Sequence, residues 1–60
     1  MKSNIYPDLT PGVYVVNINN DKWGIGQIQS SIDNKITINF ENVGKKVINA
    51  EKIKLKIIKI

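Results

Sequence analysis

Trp23-Gly24-Ile25-Gly26-Gln27-Ile28-Gln29-Ser30-Ser31-Ile32-Asp33-Asn34-Lys35-Ile36-Thr37-Ile38-Asn39-Phe40-Glu41 is the stretch that decides the fold. In its second half Ile36, Ile38 and Phe40 alternate with Lys35, Thr37, Asn39 and Glu41, the period of a strand with one buried face. Setting Ile28 opposite Ile38 makes a hairpin of the two halves, with Ser30 opposite Ile36 and Gly26 opposite Phe40. That register leaves Ile32, Asp33 and Asn34 as a three-residue loop. Such loops end in the left-handed conformation, which Asn34 tolerates. A two-residue Asp33-Asn34 turn would carry Gln27 and Gln29 onto the apolar face, which argues against it. Phe40 opposite Gly26 lets an aromatic ring cover a strand position that has no side chain.

Outward from this hairpin, Gly12, Gly24, Gly26, Gly44, Pro7 and Pro11 punctuate the chain at short intervals, and no segment shows helical spacing. Strands are expected at residues 12–17, 23–31, 35–41, 44–49 and 53–59, with one helical turn around Ala50, Glu51 and Lys52. Five short antiparallel strands in 60 residues must close or nearly close, since an open sheet cannot hide both faces. The expected fold is all-β, a small SH3-like barrel occupying residues 9–60, with residues 1–8 as an N-terminal tail or lead-in. An OB fold normally takes more residues and a fuller helix.

Composition narrows the chemistry. The chain has no Cys and no His, so zinc fingers, thiol nucleophiles and imidazole bases are excluded. The carboxylates Asp8, Asp21, Asp33, Glu41 and Glu51 are scattered, mostly in turns, so a paired acid and base is not expected. No catalytic residue, metal or cofactor is expected. The N-terminal stretch lacks the apolar core of an export signal and no run is long enough to span a membrane, which together with the missing Cys points to the cytoplasm.

Nine Lys against five acids give a net charge of +4, which suits a polyanionic partner. No Arg is present, and Arg is the residue whose fork reads phosphate and guanine bidentately. A low-GC genome, favouring Ile, Asn and Lys codons, produces the same bias without selection for binding.

Individual motifs each carry two readings. Gly24-Ile25-Gly26 contains G-x-G, but Gln29 stands where a third glycine would complete the dinucleotide fingerprint; these glycines mark a bend of the barrel. Trp23 either caps one barrel end or anchors a partner. Tyr6, Tyr14, Trp23 and Phe40 are the only aromatics, and with Phe40 in the core a full aromatic cage is not expected. Lys52, Lys54 and Lys56 alternate with Ile53, Leu55 and Ile57. That pattern is either a phosphate-binding stripe or the lysine guard of an edge strand, and the guard is the commoner use. Lys45 and Lys46 could join Lys22 in a basic patch if the loops gather at one barrel end.

Pro11-Gly12 with Val15, then Trp23-Gly24-Ile25-Gly26-Gln27-Ile28-Gln29-Ser30, Ile36-Thr37-Ile38-Asn39-Phe40-Glu41 and Gly44-Lys45-Lys46, resemble a family of short bacterial domains of unknown function over residues 8–57. That family in turn resembles the Tudor-like C-terminal domain of UvrD-type repair helicases and, more loosely, the RNA-polymerase-interacting domain of CarD-type regulators. The resemblance implies a docking module with a contact to RNA polymerase or a repair factor. Val16 and Asn17 replace the Arg-His pair common after the first-strand valine in those relatives, and the Val15–Trp23 loop is longer than in the helicase domains.

Three functions follow as expectations. The leading one is a non-catalytic protein-binding module of the transcription or repair machinery, using Trp23, an exposed Ile25, and the outward Gln27 and Gln29. The second is direct nucleic-acid binding through Lys22, Lys45, Lys46, Lys54 and Lys56, with Trp23 or Tyr14 stacking on a base. The third is self-association through an uncovered edge strand.

Overall fold

The computed structural model describes residues 9–59. The expected tail at residues 1–8, and Tyr6 with it, lies outside the described residues. Five antiparallel strands form one sheet: β1 (Tyr14–Asn17), β2 (Gly26–Ile32), β3 (Lys35–Phe40), β4 (Gly44–Asn49) and β5 (Leu55–Ile58), in spatial order β4-β3-β2-β1-β5. The chain is a meander whose last strand returns to pair with the first. The domain is therefore all-β, and its five strands fall on the five stretches expected from alternation and glycine spacing.

Alternation decides which face each side chain takes. Val15, Ile28, Ile36, Ile38, Phe40 and Ile48 are buried in a single cluster, joined at its margin by Leu9, Val13, Trp23, Ala50, Ile53 and Leu55. Contributions from both outer strands, Ile48 and Leu55, to one cluster require the sheet to curl around it. Among the described residues no ladder joins β4 to β5, so the curled sheet keeps two edges.

The register of β2 against β3 corrects one expectation. Gly26 pairs with Phe40 and Ile28 with Ile38, but Ser30 then faces Thr37 and Ser31 faces Ile36. The shift between Ile28 and Ser30 makes Gln29 the extra residue of a bulge, which lets one register serve the core below it and another above it. Ile32 pairs with Lys35, so the connection is the two residues Asp33-Asn34 rather than a three-residue loop. Asp33, not Asn34, takes the positive φ, at 54°. With an unbroken ladder this turn would carry Gln27 and Gln29 inward; the bulge at Gln29 restores parity, and both stay exposed.

Two further differences are local. Residues Ile18–Trp23 form a 3-10 helix between the first two strands, where no helical spacing is visible and Trp23 is expected to open the second strand; it is capped by Asn17 Oδ1 accepting from Asn19 N at 3.0 Å. Its six residues, with a kink at Asn20, are too few to show a helical period. Trp23 consequently ends this helix, and β2 begins at Gly26. At the other end, Lys52 N and Ile53 N both donate to Asn49 O, giving the expected helical turn, and β5 starts only at Leu55.

Candidate functional site

The residues of Trp23-Gly24-Ile25-Gly26 are held by the turn after β3. Trp23 stands edge-on to Phe40 with ring centroids 5.1 Å apart, and the Lys46 ammonium lies 5.4 Å from the Trp23 ring centroid. Asn42 N donates to Trp23 O at 3.0 Å, while Asn42 Nδ2 donates to Lys22 O at 2.8 Å. Ile25 and Glu41 exchange two bonds: Ile25 N donates to the Glu41 carboxylate at 3.0 Å, and Glu41 N donates to Ile25 O at 2.9 Å. Gly24, at φ +83°, passes so close that a Cβ there would stand 2.9 Å from both Asn42 Nδ2 and Glu41 Oε1. The aromatic and glycine positions of this motif therefore have structural work: they fasten the 3-10 helix and the start of β2 to the β3–β4 turn.

What this clasp leaves open is the outer face of the sheet. Ladder pairing sets Tyr14, Gln27, Asn39 and Lys45 in one row across four strands. Tyr14, Ile25, Gln27, Asn39, Glu41 and Asn42 line a concavity of about 460 Å³ on that face. Its apolar surfaces include the Tyr14 ring and Ile25; its polar groups are the Gln27 and Asn39 amides, with the Glu41 carboxylate and Asn42 amide already bonded to Ile25 N and Lys22 O. Gln27 Nε2 reaches Gly12 O only at 3.5 Å, the long limit of a hydrogen bond, so the amide can exchange that contact for a ligand's. Such a surface can hold a partner by apolar contact and amide hydrogen bonds. Among the described residues no group of three His, Cys, Asp or Glu could hold a metal ion.

Of the four residues expected to form the partner surface, Ile25 and Gln27 meet in the concavity. Ile25 is half-buried rather than exposed, because the Glu41 exchange draws its backbone against β3. Trp23 is half-buried toward the core beside Phe40, and Gln29 sits exposed on the bulge. Tyr14 and Asn39 line it beside them, with Glu41 and Asn42 at the clasp. Asn39 opposite Gln27 follows from the Gly26–Phe40 and Ile28–Ile38 pairs and was readable; Tyr14 opposite Gln27 depends on the β1–β2 ladder, for which the sequence offers no counting frame.

The lysines are dispersed. Lys46 pairs with Ile38 and shares its face, whereas Lys45 pairs with Asn39 on the outer face. Lys46 and Lys22 both lie at the Trp23 end, Lys46 over its ring and Lys22 just before it with its carbonyl bonded by Asn42. Lys54 precedes β5 and Lys56 lies within it, at the sheet edge opposite β4, so the strand holds one lysine of the expected stripe. Both edges thus carry lysine, the usual guard against pairing with another edge.

This arrangement defines a small all-β domain with a clasped motif at one end and an open concave face. A family model described as a protein of unknown function (DUF3553) matches residues 9–58, and the chain belongs to that family. Neither curated proteins nor solved structures give a match.

Proposed function

We propose that this domain is a non-catalytic docking module that binds another protein through its outer face, with Tyr14, Ile25, Gln27 and Asn39 as the contact. The observation that carries this reading is the concavity itself: an aromatic ring, a branched aliphatic, the adjacent Gln27 and Asn39 amides and, at its rim, Asn42 and the Glu41 carboxylate, with no cationic side chain in its lining. That is the chemistry of a protein surface rather than a phosphate backbone. The order of the strands and the bulge that bends β2 support reading the fold as SH3-like and Tudor-like. By the resemblance to helicase and CarD-type domains, the partner is RNA polymerase or a repair factor, in the cytoplasm.

Direct nucleic-acid binding is the weaker reading. Of its two stacking candidates, Trp23 has Lys46 over its ring and Phe40 against it, Tyr14 stands on the outer face where the concavity has no cationic lining, and Lys45 and Lys46 point to opposite faces. The test is surface binding of purified core RNA polymerase to the domain and to Gln27→Lys and Tyr14→Lys variants. Loss of binding of about tenfold or more in both variants, with unchanged melting, supports the reading. Equal binding by all three proteins contradicts it.

A further inference from the structure

The backbone of β4 carries information that the outer face does not. Ala50 N donates to Asn34 O at 2.8 Å, which makes residues 34 and 50 a hydrogen-bonded pair in register with the β3–β4 ladder. Hydrogen-bonded and non-hydrogen-bonded pairs alternate along an antiparallel ladder. Counting back, Ile36–Ile48, Ile38–Lys46 and Phe40–Gly44 exchange bonds, and Thr37–Val47 and Asn39–Lys45 do not. The N–H and C=O groups of Lys45 and Val47 therefore point away from β3, to the open edge of the sheet. Among the described residues none of them has a backbone partner there.

The side chains at that edge specify what it accepts. Val47 is 65% exposed on the outer face, a large apolar group left in water on an edge strand. Lys45 and Lys46 precede it, and β4 has no acidic residue. An edge of this kind repels its own copy, because antiparallel pairing of two β4 strands brings four lysines together. The same charges favour an acidic strand, so one feature both excludes self-pairing and selects a partner. The other edge differs in degree: the Ile18 N to Lys54 O bond places the free groups of β5 at Leu55 and Ile57, and of these Leu55 packs against the core while Ile57 is 37% exposed, against 65% for Val47.

We infer that β4 takes an extended acidic segment of a partner protein as a sixth antiparallel or parallel strand, hydrogen-bonded to Lys45 and Val47, with an apolar side chain against Val47 and carboxylates against Lys45 and Lys46. The inference rests on the protein-docking reading, and the row Tyr14-Gln27-Asn39-Lys45 makes this edge continuous with the concavity.

The test is titration of the nitrogen-15-labelled domain with a short capped peptide of glutamate and valine in the repeat Val-Glu-Glu, which sets valine against Val47 and glutamate against both Lys46 and Lys45, followed by amide hydrogen exchange. The expected result is saturable binding with slowed exchange at the Lys45 and Val47 amides. Val47→Pro removes an edge donor without touching the β3 ladder, a position where an edge strand tolerates proline. It should weaken the peptide about tenfold or more. Lys45→Glu, which leaves the backbone alone, should do the same if the proline variant unfolds. The inference is overturned by unchanged exchange at Lys45 and Val47, or by equal affinity for a lysine-valine peptide of the same pattern. It is also overturned by a concentration-dependent dimer that Val47→Pro abolishes, since the edge would then take a second copy. If the peptide fails while RNA polymerase binding still depends on Tyr14 and Gln27, only the edge-strand inference falls.

Discussion

Gly26 and Phe40 face each other across the β2–β3 ladder so closely that a Cβ on Gly26 would stand 2.6 Å from Phe40 Cδ1 and 2.5 Å from Ile38 Cγ2. Both neighbours are core side chains, 2% and 0% exposed, with no solvent to move into. The glycine is thus required by space, and its φ lies outside the left-handed region.

Gly26→Ala should cost about 1–3 kcal/mol through overpacking. A domain this small has a margin of only about 3–5 kcal/mol, so the melting temperature should fall by roughly 10 °C. Thermal unfolding followed by circular dichroism measures it. A melt within a degree or two of the parent would show that the ladder yields.

Gly24→Ala should destabilise for a different reason. At φ +83° any side chain is strained, and the new methyl meets Glu41 and Asn42, the residues that close the clasp. The expected loss is about 1–3 kcal/mol. Glu41→Ala removes the acceptor of Ile25 N and should cost about 0.5–1.5 kcal/mol. The double variant should lose less than the sum, because both changes open the same contact. Denaturant midpoints of the three proteins give the coupling.

Trp23 reports on the Lys46 contact. Lys46→Met should change the Trp23 emission spectrum and its quenching by iodide while costing less than about 1 kcal/mol, the scale of an exposed cation–π pair. Identical spectra would place the ammonium in solvent.

Asn17 is fully buried, its Oδ1 caps the 3-10 helix, and its Nδ2 has no hydrogen-bond partner among the described residues. Asn17→Thr keeps an oxygen for the cap and leaves one rotatable hydroxyl donor in place of the two amide donors, so its loss should stay below that of Asn17→Leu. Asn17→Leu drops the cap as well and should lose about 1 kcal/mol. Urea midpoints of the two variants separate the cap from the donor.

The architecture was legible in the sequence because alternation at residues 35–41 and the Gly26–Phe40 match constrain each other: one supplies the buried face, the other the register. The bulge at Gln29 was not, since alternation on either side of an inserted residue looks continuous until the turn is known. The 3-10 helix was hidden by its length. Within the candidate site, the Gln27–Asn39 neighbourhood followed from hairpin register. The placement of Ile25 did not, because parity turns it away from the core while the Glu41 bonds pull its backbone in. Tyr14 entered the site only through the non-local β1–β2 pairing.

The central claim is that the outer face binds protein and that the +4 charge does not bind nucleic acid. The most direct measurement is the amide spectrum of the nitrogen-15-labelled domain at physiological salt, titrated separately with duplex DNA, single-stranded DNA and core RNA polymerase. The account predicts loss of the Tyr14, Ile25, Gln27 and Asn39 signals with polymerase and an unchanged spectrum with either DNA. Saturable, salt-sensitive shifts at Lys22, Lys45 and Lys46 on adding DNA, with no response to polymerase, would contradict it.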